Sequence, residues 1–120
     1  MGAFSSSPQK LLYTAENKVI QDLINKNCVV VFSKTQCVYC RKVKKLFTDN
    51  NIAYLSIELD KRDDGNSLQN ALHQITGART VPRVFINGEC IGGASESEKL
   101  YNENKLMEKI SQCNRKQFPQ

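Results

Sequence analysis

Residues 29–40 of this chain read VVVFSKTQCVYC, an apolar β-branched run that leads into two cysteines three positions apart. A continuous run such as residues 29–32 is typical of a strand that is covered on both faces. Helical spacing follows between Cys40 and Asn50, where the apolar residues are Val43, Leu46 and Phe47. The sequence therefore predicts that Cys37 lies where the first strand ends and a helix begins.

This position gives Cys37 a chemical role. A helix N-terminus carries about half a positive charge, and Lys34, Arg41 and Lys42 are close in sequence. Such surroundings lower a cysteine pKa from about 8.5 into a range of about 3.5 to 7.5. We therefore expect Cys37 to be a thiolate at neutral pH. Cys40, one turn inside the helix, is shielded and placed to attack a mixed disulfide formed on Cys37.

Three other interpretations of the cysteine pair fit the sequence less well. Zinc needs four nitrogen or sulfur ligands, but no second Cys-x-x-Cys exists. The other candidate ligands lack finger-like spacing: Cys28, Cys90, Cys113 and His73. A structural disulfide across so short a loop would constrain the unfolded chain very little. Simple burial of both cysteines conflicts with their polar neighbours, which are Lys34, Gln36, Arg41 and Lys42.

Helices and strands alternate on both sides of this motif. A first helix is predicted over residues 14–26, capped by Thr14, with its apolar face at Val19, Ile20, Leu23 and Ile24. A second strand is predicted from the alternation of Leu55, Ile57 and Leu59. A capping box of Asn66 with Gln69 indicates a third helix that ends at Gly77. Its inward face is expected at Leu68, Ala71, Leu72 and Ile75.

A hairpin and a last helical region complete the chain. The first arm at residues 84–86 leads into Asn87-Gly88, the strongest two-residue turn signal. The second arm runs through Cys90 and Ile91 and stops at residues 92–93. Ser95 with Glu98 is expected to begin the last helices. The predicted inward face consists of Leu100, Leu106, Met107, Ile110 and Cys113.

This order predicts one α/β domain with a small mixed sheet and helices on both of its faces. The first strand-helix-strand unit should be parallel. Residues 1–13 are expected to form a flexible tail, the domain to span residues 14–113, and residues 114–120 to form a C-terminal tail. Met1, Gly2 and Ser6 also fit the loose N-myristoylation pattern.

Composition narrows the function. The net charge is +5, but the basic residues cluster around the cysteine pair with few aromatics to stack on bases, so no nucleic acid partner is expected. No apolar run approaches the roughly 20 residues of a membrane-spanning helix. Five cysteines are fewer than a secreted disulfide scaffold uses, and nothing marks export. We expect a reducing compartment, by default the cytoplasm, with the mitochondrion or nucleus as alternatives.

Three motifs in this order resemble the glutaredoxins of the thioredoxin fold: residues 32–40, residues 80–82 and residues 91–93. The resemblance covers about residues 14–113 and implies a four-stranded mixed sheet. The absence of Trp, with Gln36 before the first cysteine, is unlike thioredoxin itself. The resemblance implies a glutathione-dependent thiol-disulfide oxidoreductase that reduces protein-glutathione mixed disulfides and protein disulfides. In this interpretation Cys37 is the nucleophile and Cys40 the resolving cysteine.

The resemblance also implies a glutathione site. Lys34 and Gln69, with help from Arg79, would hold the glycine carboxylate. Val81 would pair through its backbone with the cysteinyl moiety, next to a cis-proline. Glu96 would meet the ligand's ammonium, although the family commonly has Asp there. The full expected set is Lys34, Tyr39, Gln69, Arg79, Thr80, Val81, Pro82, Gly93, Ser95 and Glu96.

Two further expectations come from the resemblance. Many dithiol members of the family have Pro at the position of Val38, but some relatives with Ser there bind a 2Fe–2S cluster between two chains, each supplying a cysteine equivalent to Cys37 and a bound glutathione. A cluster-bridged homodimer is therefore the alternative to a monomeric enzyme. The same relatives have cysteines matching Cys28 and Cys113, which makes these a candidate disulfide as well as candidate buried thiols. Cys90 has no identified partner and is inert or a secondary glutathionylation site.

Overall fold

A mixed four-stranded sheet forms the centre of the computed structural model, which describes residues 14–113. Its strands are β1 (Val29–Ser33), β2 (Leu55–Glu58), β3 (Arg83–Ile86) and β4 (Glu89–Gly92). Their order is β2-β1-β3-β4. Strand β1 pairs in parallel with β2, whereas β3 is antiparallel to both β1 and β4. The predicted mixed sheet and parallel first unit are confirmed.

Within residues 14–113, five α-helices cover the sheet: α1 (Ala15–Lys26), α2 (Val38–Asp49), α3 (Gly65–Thr76), α4 (Ala94–Asn102) and α5 (Leu106–Ser111). Two separate apolar cores show that helices lie on both faces, as predicted. Side chains of α1 and α3 pack on one face, and those of α2 and α5 on the other. No helix within residues 14–113 is long and apolar enough to cross a bilayer.

The apolar run of β1 explains its central place. All five of its residues are buried. Val30 and Phe32 enter the core under α1 and α3, whereas Val29 and Val31 enter the core under α2. Successive strand side chains point to opposite faces, so a strand covered on both sides favours a continuous apolar run, here residues 29–32.

Three predicted local signals are confirmed. The hydroxyl of Thr14 accepts a hydrogen bond from the Asn17 N–H at 3.1 Å, which caps α1. Helix α3 ends at Gly77, whose φ of 85° lies in the left-handed region that glycine tolerates. Asn87 and Gly88 connect β3 and β4 with φ values of 53° and 81°, as a type I′ turn requires.

Two predicted helix starts are wrong. Helix α3 begins at Gly65 with Asp64 at the cap, and the side chain of Gln69 is bonded elsewhere, so Asn66 and Gln69 form no capping box. Helix α4 begins at Ala94 with Gly93 at the cap, two residues earlier than a cap at Ser95 would place it. In both cases a short polar residue inside the first turn resembles a cap in the sequence.

Three side chains also differ from prediction. Leu59 is buried in a 3₁₀ turn (Leu59–Lys61) and not in β2, because the strand ends at Glu58. Ile75 lies in the last turn of α3, outside the packed cluster, and is 36% exposed. Met107 is 50% exposed because α5 buries Leu106, and the next residue lies about 100° further round the helix. The expected tails and Gly2 lie outside the described residues.

Candidate functional site

Cys37 occupies the N-cap of α2, at the end of the loop that follows β1. Its sulfur accepts a hydrogen bond from the Cys40 N–H at 3.1 Å and lies 3.8 Å from the Val81 carbonyl oxygen. Cys37 is half-buried, whereas Cys40 has no exposed surface. Their Cα atoms are 5.2 Å apart and their sulfurs are at disulfide distance. This pair can therefore alternate between dithiol and disulfide.

The start of α2 is electropositive. No acidic residue occurs in residues 34–48. The Cys40 N–H directed at the Cys37 sulfur adds the partial positive charge of the helix terminus. Lys44 and Lys45, further along α2, are paired with Glu58 and Asp49. The cations nearest to Cys37 in sequence have no carboxylate within ion-pair distance in the described part of the chain; they are Lys34, Arg41 and Lys42.

Asp60 fixes the loop between β1 and α2. Its carboxylate accepts hydrogen bonds from the Thr35 N–H at 3.0 Å and from the Thr35 hydroxyl. Both bonds lower the pKa of Asp60 below its usual value, and the bond from the hydroxyl has the larger effect. The guanidinium of Arg41 also donates to this loop, to the Thr35 carbonyl oxygen at 3.3 Å. Sequence reasoning missed this contact because 25 positions separate its partners; the parallel pairing of β1 and β2 brings them together.

A cleft of about 370 Å³ lies beside the cysteine pair. Seven of the ten residues expected to bind glutathione line it: Tyr39, Thr80, Val81, Pro82, Gly93, Ser95 and Glu96. The Val81–Pro82 peptide bond is cis. Arg83 and Ala94 also line the cleft, and sequence reasoning missed both. The sequence could have identified Arg83 by its position directly after Pro82, since the residues on both sides of Pro82 line the cleft.

The remaining three expected residues do not line this cleft. Gln69 is buried and donates from its side-chain amide to the Arg79 carbonyl oxygen at 2.8 Å. The guanidinium of Arg79 is hydrogen-bonded to Asn70. The carbonyl of Lys34 accepts from the Cys37 N–H at 3.2 Å. Gln69 thus anchors the segment that leads into the cleft wall.

Glu96 has a structural role that the sequence did not predict. Its carboxylate accepts a hydrogen bond from the Gly93 N–H at 2.8 Å, which completes the first turn of α4. This bond is the main reason why the pKa of Glu96 lies below its usual value. The backbone N–H of Glu96 and the charge of Arg83 also lower this pKa. Glu96 is therefore a carboxylate at the wall of the cleft.

The other cysteines lie away from the cleft. Cys28 and Cys113 are bonded in the structure, with Cα atoms 5.9 Å apart and a side-chain dihedral of −84°. The two residues are separated by 85 positions, so the bond connects the start of β1 to the chain after α5. Cys90 in β4 is unpaired and half-buried.

A thioredoxin fold whose Cys-x-x-Cys pair begins the helix after β1, with a cis-proline beside it, defines a thiol-disulfide oxidoreductase. The glutaredoxin family model matches residues 29–91. Mitochondrial glutaredoxin-2 of Pongo abelii and of Homo sapiens are each 49% identical over 113 residues, which is 94% of this chain and about 70% of theirs. The chain belongs to the glutaredoxin family, the glutathione-dependent thiol oxidoreductases.

A solved structure agrees with this assignment. Buckwheat glutaredoxin in complex with glutathione has a TM-score of 0.80 and is 46% identical. The match covers 88% of this chain and 94% of the buckwheat chain. The resemblance seen in the three sequence motifs is thus confirmed, together with the thioredoxin fold.

Proposed function

We propose that this glutaredoxin removes glutathione from protein mixed disulfides through Cys37. The observation that carries the proposal is the difference in exposure between the two cysteines. Cys40 is completely buried, and Cys37 is half-buried at an electropositive helix start, so Cys37 is the sulfur that a substrate disulfide can reach. A thiolate is the nucleophile in disulfide exchange, and this environment favours it.

The reaction takes place in two exchanges. The Cys37 thiolate attacks the glutathione sulfur, a Cys37–glutathione disulfide forms, and the protein sulfur leaves as a thiolate that takes a proton from solvent. A second glutathione thiolate then attacks the glutathione sulfur held on Cys37. Oxidised glutathione leaves, and the Cys37 thiolate is restored.

Cys40 serves a second route. When the substrate is a protein disulfide, Cys37 forms a mixed disulfide with one protein sulfur and the other protein sulfur leaves. Cys40 then attacks Cys37, which releases the reduced protein and leaves the Cys37–Cys40 disulfide. The Cα separation of 5.2 Å supports this intramolecular step. Two glutathione molecules return the pair to the dithiol.

The cleft suits glutathione, a tripeptide with two carboxylates and one ammonium. Val81 lies 3.8 Å from the Cys37 sulfur through its carbonyl, so its backbone can pair with the cysteinyl unit. The first turn of α4, at Ser95 and Glu96, offers N–H groups to the γ-glutamyl carboxylate. We assign the glycine carboxylate to Lys34, Gln69 and Arg79. The glutathione complex of the buckwheat relative supports glutathione as the ligand.

Serine substitutions test the assignment. Cys37→Ser should lower turnover of glutathionylated protein by at least about a thousandfold, because a serine hydroxyl does not ionise near neutral pH. Cys40→Ser should keep deglutathionylation within about threefold and lose reduction of protein disulfides. Cys90→Ser is the matched control and should leave both activities unchanged. Loss of deglutathionylation in Cys40→Ser would refute the single-cysteine route.

We also propose a second candidate function, a 2Fe–2S cluster between two chains. Within residues 14–113 no group of three His, Cys, Asp or Glu side chains could hold a metal, so a cluster would need ligands from outside this part of one chain, and we assign Cys37 as the ligand from each chain. The half-buried Cys37 and the exposed Val38 and Tyr39 allow two such surfaces to approach each other. Two Cys37 thiolates and two glutathione thiolates would hold the cluster, which supplies one-electron chemistry.

Anaerobic reconstitution with iron, sulfide and glutathione distinguishes the two functions. A cluster predicts a brown dimer that Cys37→Ser cannot form. A colourless monomer would refute the cluster and would leave the proposed deglutathionylation standing. For the compartment, the relatives named mitochondrial glutaredoxin-2 favour the mitochondrion over the cytoplasm that the sequence alone suggested, and we propose it.

A further inference from the structure

Exposed apolar side chains concentrate beside the nucleophile. Among the described residues, the two most exposed large apolar side chains are Tyr39 at 61% and Val38 at 59%. Both belong to the first turn of α2, directly after Cys37. Adjacent exposed apolar residues beside a reactive group indicate a surface that a partner covers. The protein part of a mixed disulfide is the partner that must reach this point.

Two unpaired cations adjoin these side chains. Arg41 and Lys42 follow Val38 by three and four residues, so they share its helical face. The Lys42 ammonium lies 5.6 Å from the centre of the Tyr39 ring, and Arg41 donates to the Thr35 carbonyl. Neither is within ion-pair distance of a carboxylate in the part of the chain that the structure describes. We call Val38, Tyr39, Arg41 and Lys42 the basic rim.

The basic rim is continuous with the proposed glutathione cleft. A groove of about 170 Å³ between α2 and α4 is lined by Tyr39, Lys42 and Ser95, among others. Tyr39 and Ser95 also line the cleft. Glu98 is the one carboxylate lining this groove, on the α4 side. A polypeptide joined to glutathione in the cleft would therefore extend across the rim or along this groove.

We propose that the basic rim selects protein substrates that carry acidic residues next to the glutathionylated cysteine. This inference rests on the proposed function and adds its substrate class. The chemistry is unchanged: Cys37 bonds to the glutathione sulfur, and the protein sulfur leaves as a thiolate. The acidic flank lies on Arg41 and Lys42, whereas Val38 and Tyr39 contact its apolar atoms. Complementary charge of this kind acts mainly on association rate and specificity.

Two peptides provide the test. Both carry glutathione on a central cysteine, one with two Glu residues on each side and the other with two Lys residues on each side. The expected ratio of kcat/KM, acidic over basic, is about tenfold or more at low ionic strength. It should fall towards unity in 1 M salt, where the Debye length is about 3 Å.

Charge reversal identifies the surface responsible. Lys42→Glu and Arg41→Glu should each lower the acidic-to-basic ratio at least about threefold, and the double variant should invert it. The ratio is the readout because a change in Cys37 reactivity alters both rates alike. Lys18→Glu makes the same change in net charge on α1, across the sheet, and should leave the ratio unchanged.

A small substrate distinguishes a failure of the basic rim from a failure of the proposed deglutathionylation. The mixed disulfide of glutathione and 2-mercaptoethanol has no flanking residues and reports only the proposed function. Equal rates for both peptides at low salt, with this small substrate turned over, would overturn the basic rim and leave deglutathionylation standing. A Lys18→Glu effect as large as that of Lys42→Glu would also overturn it. No turnover of the small substrate would refute both.

Discussion

At the residue scale, one helical turn separates the chemistry of Cys37 from that of Cys40. Cys37 caps α2 and receives an N–H from the turn it begins, whereas Cys40 points into the protein and has no exposed surface. The sequence predicts this difference, because spacing places one cysteine at the helix start and the other inside it. Asp60 was not predictable, since its contact with Thr35 exists only once β1 and β2 pair.

The hydrogen bond of Glu96 makes the free energy of unfolding depend on pH. The Gly93 N–H lowers the pKa of Glu96, so its carboxylate stabilises the folded protein fully above about pH 4.5. This stabilisation is lost as the pH falls through the lowered folded-state pKa. Glu96→Ala should cost about 0.5–1 kcal/mol of unfolding free energy at pH 7 and progressively less below pH 4.5, measured by urea unfolding.

Glu98→Ala is the matched control for this measurement. Glu98 is exposed in the same helix, and the sequence pattern had assigned it to a capping box with Ser95. Its replacement should change the unfolding free energy by less than about 0.5 kcal/mol. A larger loss in Glu98→Ala than in Glu96→Ala would mean that the cap at Gly93 is assigned wrongly.

At the scale of elements, apolar periodicity is sufficient to predict the order and type of helices and strands, and tertiary contacts set their ends. The run at residues 29–32 and the turn at Asn87-Gly88 are local signals and were interpreted correctly. Helix starts were less predictable, because Ser95 resembles a cap while Gly93 is the cap. Most of the cleft was predictable as a set of motifs, whereas Arg83 has only its position directly after Pro82 as a sequence signal.

Helix α5 is six residues long and depends on its packing. Leu106 has no exposed surface and belongs to the core under α2, whereas its neighbour Met107 is 50% exposed. Leu106→Ala should lower the unfolding free energy by about 2–4 kcal/mol through loss of buried surface and formation of a cavity. Met107→Ala should change it by less than about 0.5 kcal/mol. Equal losses in chemical denaturation would contradict the orientation of α5.

At the scale of the whole molecule, the parallel β1–β2 unit and the β3–β4 hairpin bring the site together from distant parts of the chain. Cys37 follows β1, Pro82 precedes β3, and the first turn of α4 follows β4. Pro82 and the first turn of α4 line one cleft, and the carbonyl oxygen of Val81 in the cleft wall lies 3.8 Å from the Cys37 sulfur. This convergence explains why separate sequence motifs, none of them specific alone, identify a single site.

The Cys28–Cys113 bond connects the two ends of this assembly. We propose that it forms in the oxidised protein and closes a loop across 85 positions. Cys113→Ser should then lower the unfolding free energy by about 2–4 kcal/mol under oxidising conditions. Mass spectrometry after non-reducing digestion should recover the linked peptides.

A reducing agent is the control for this bond. With dithiothreitol present, wild type and Cys113→Ser should differ by less than about 0.5 kcal/mol, because neither then has the cross-link. An equal difference with and without the reductant would assign the effect to packing of the cysteine side chain.

The start of α2 is expected to hold Cys37 as a thiolate, and the rate of iodoacetamide alkylation as a function of pH is the decisive measurement. The reduced protein is alkylated at each pH, and tandem mass spectrometry identifies the modified residue. We predict that Cys37 reacts first and that its rate rises with a midpoint below about pH 7.5, at least one unit under the ordinary value of about 8.5. Faster alkylation of Cys90 than of Cys37, or a midpoint for Cys37 near pH 8.5, would show that the start of α2 does not hold Cys37 as a thiolate.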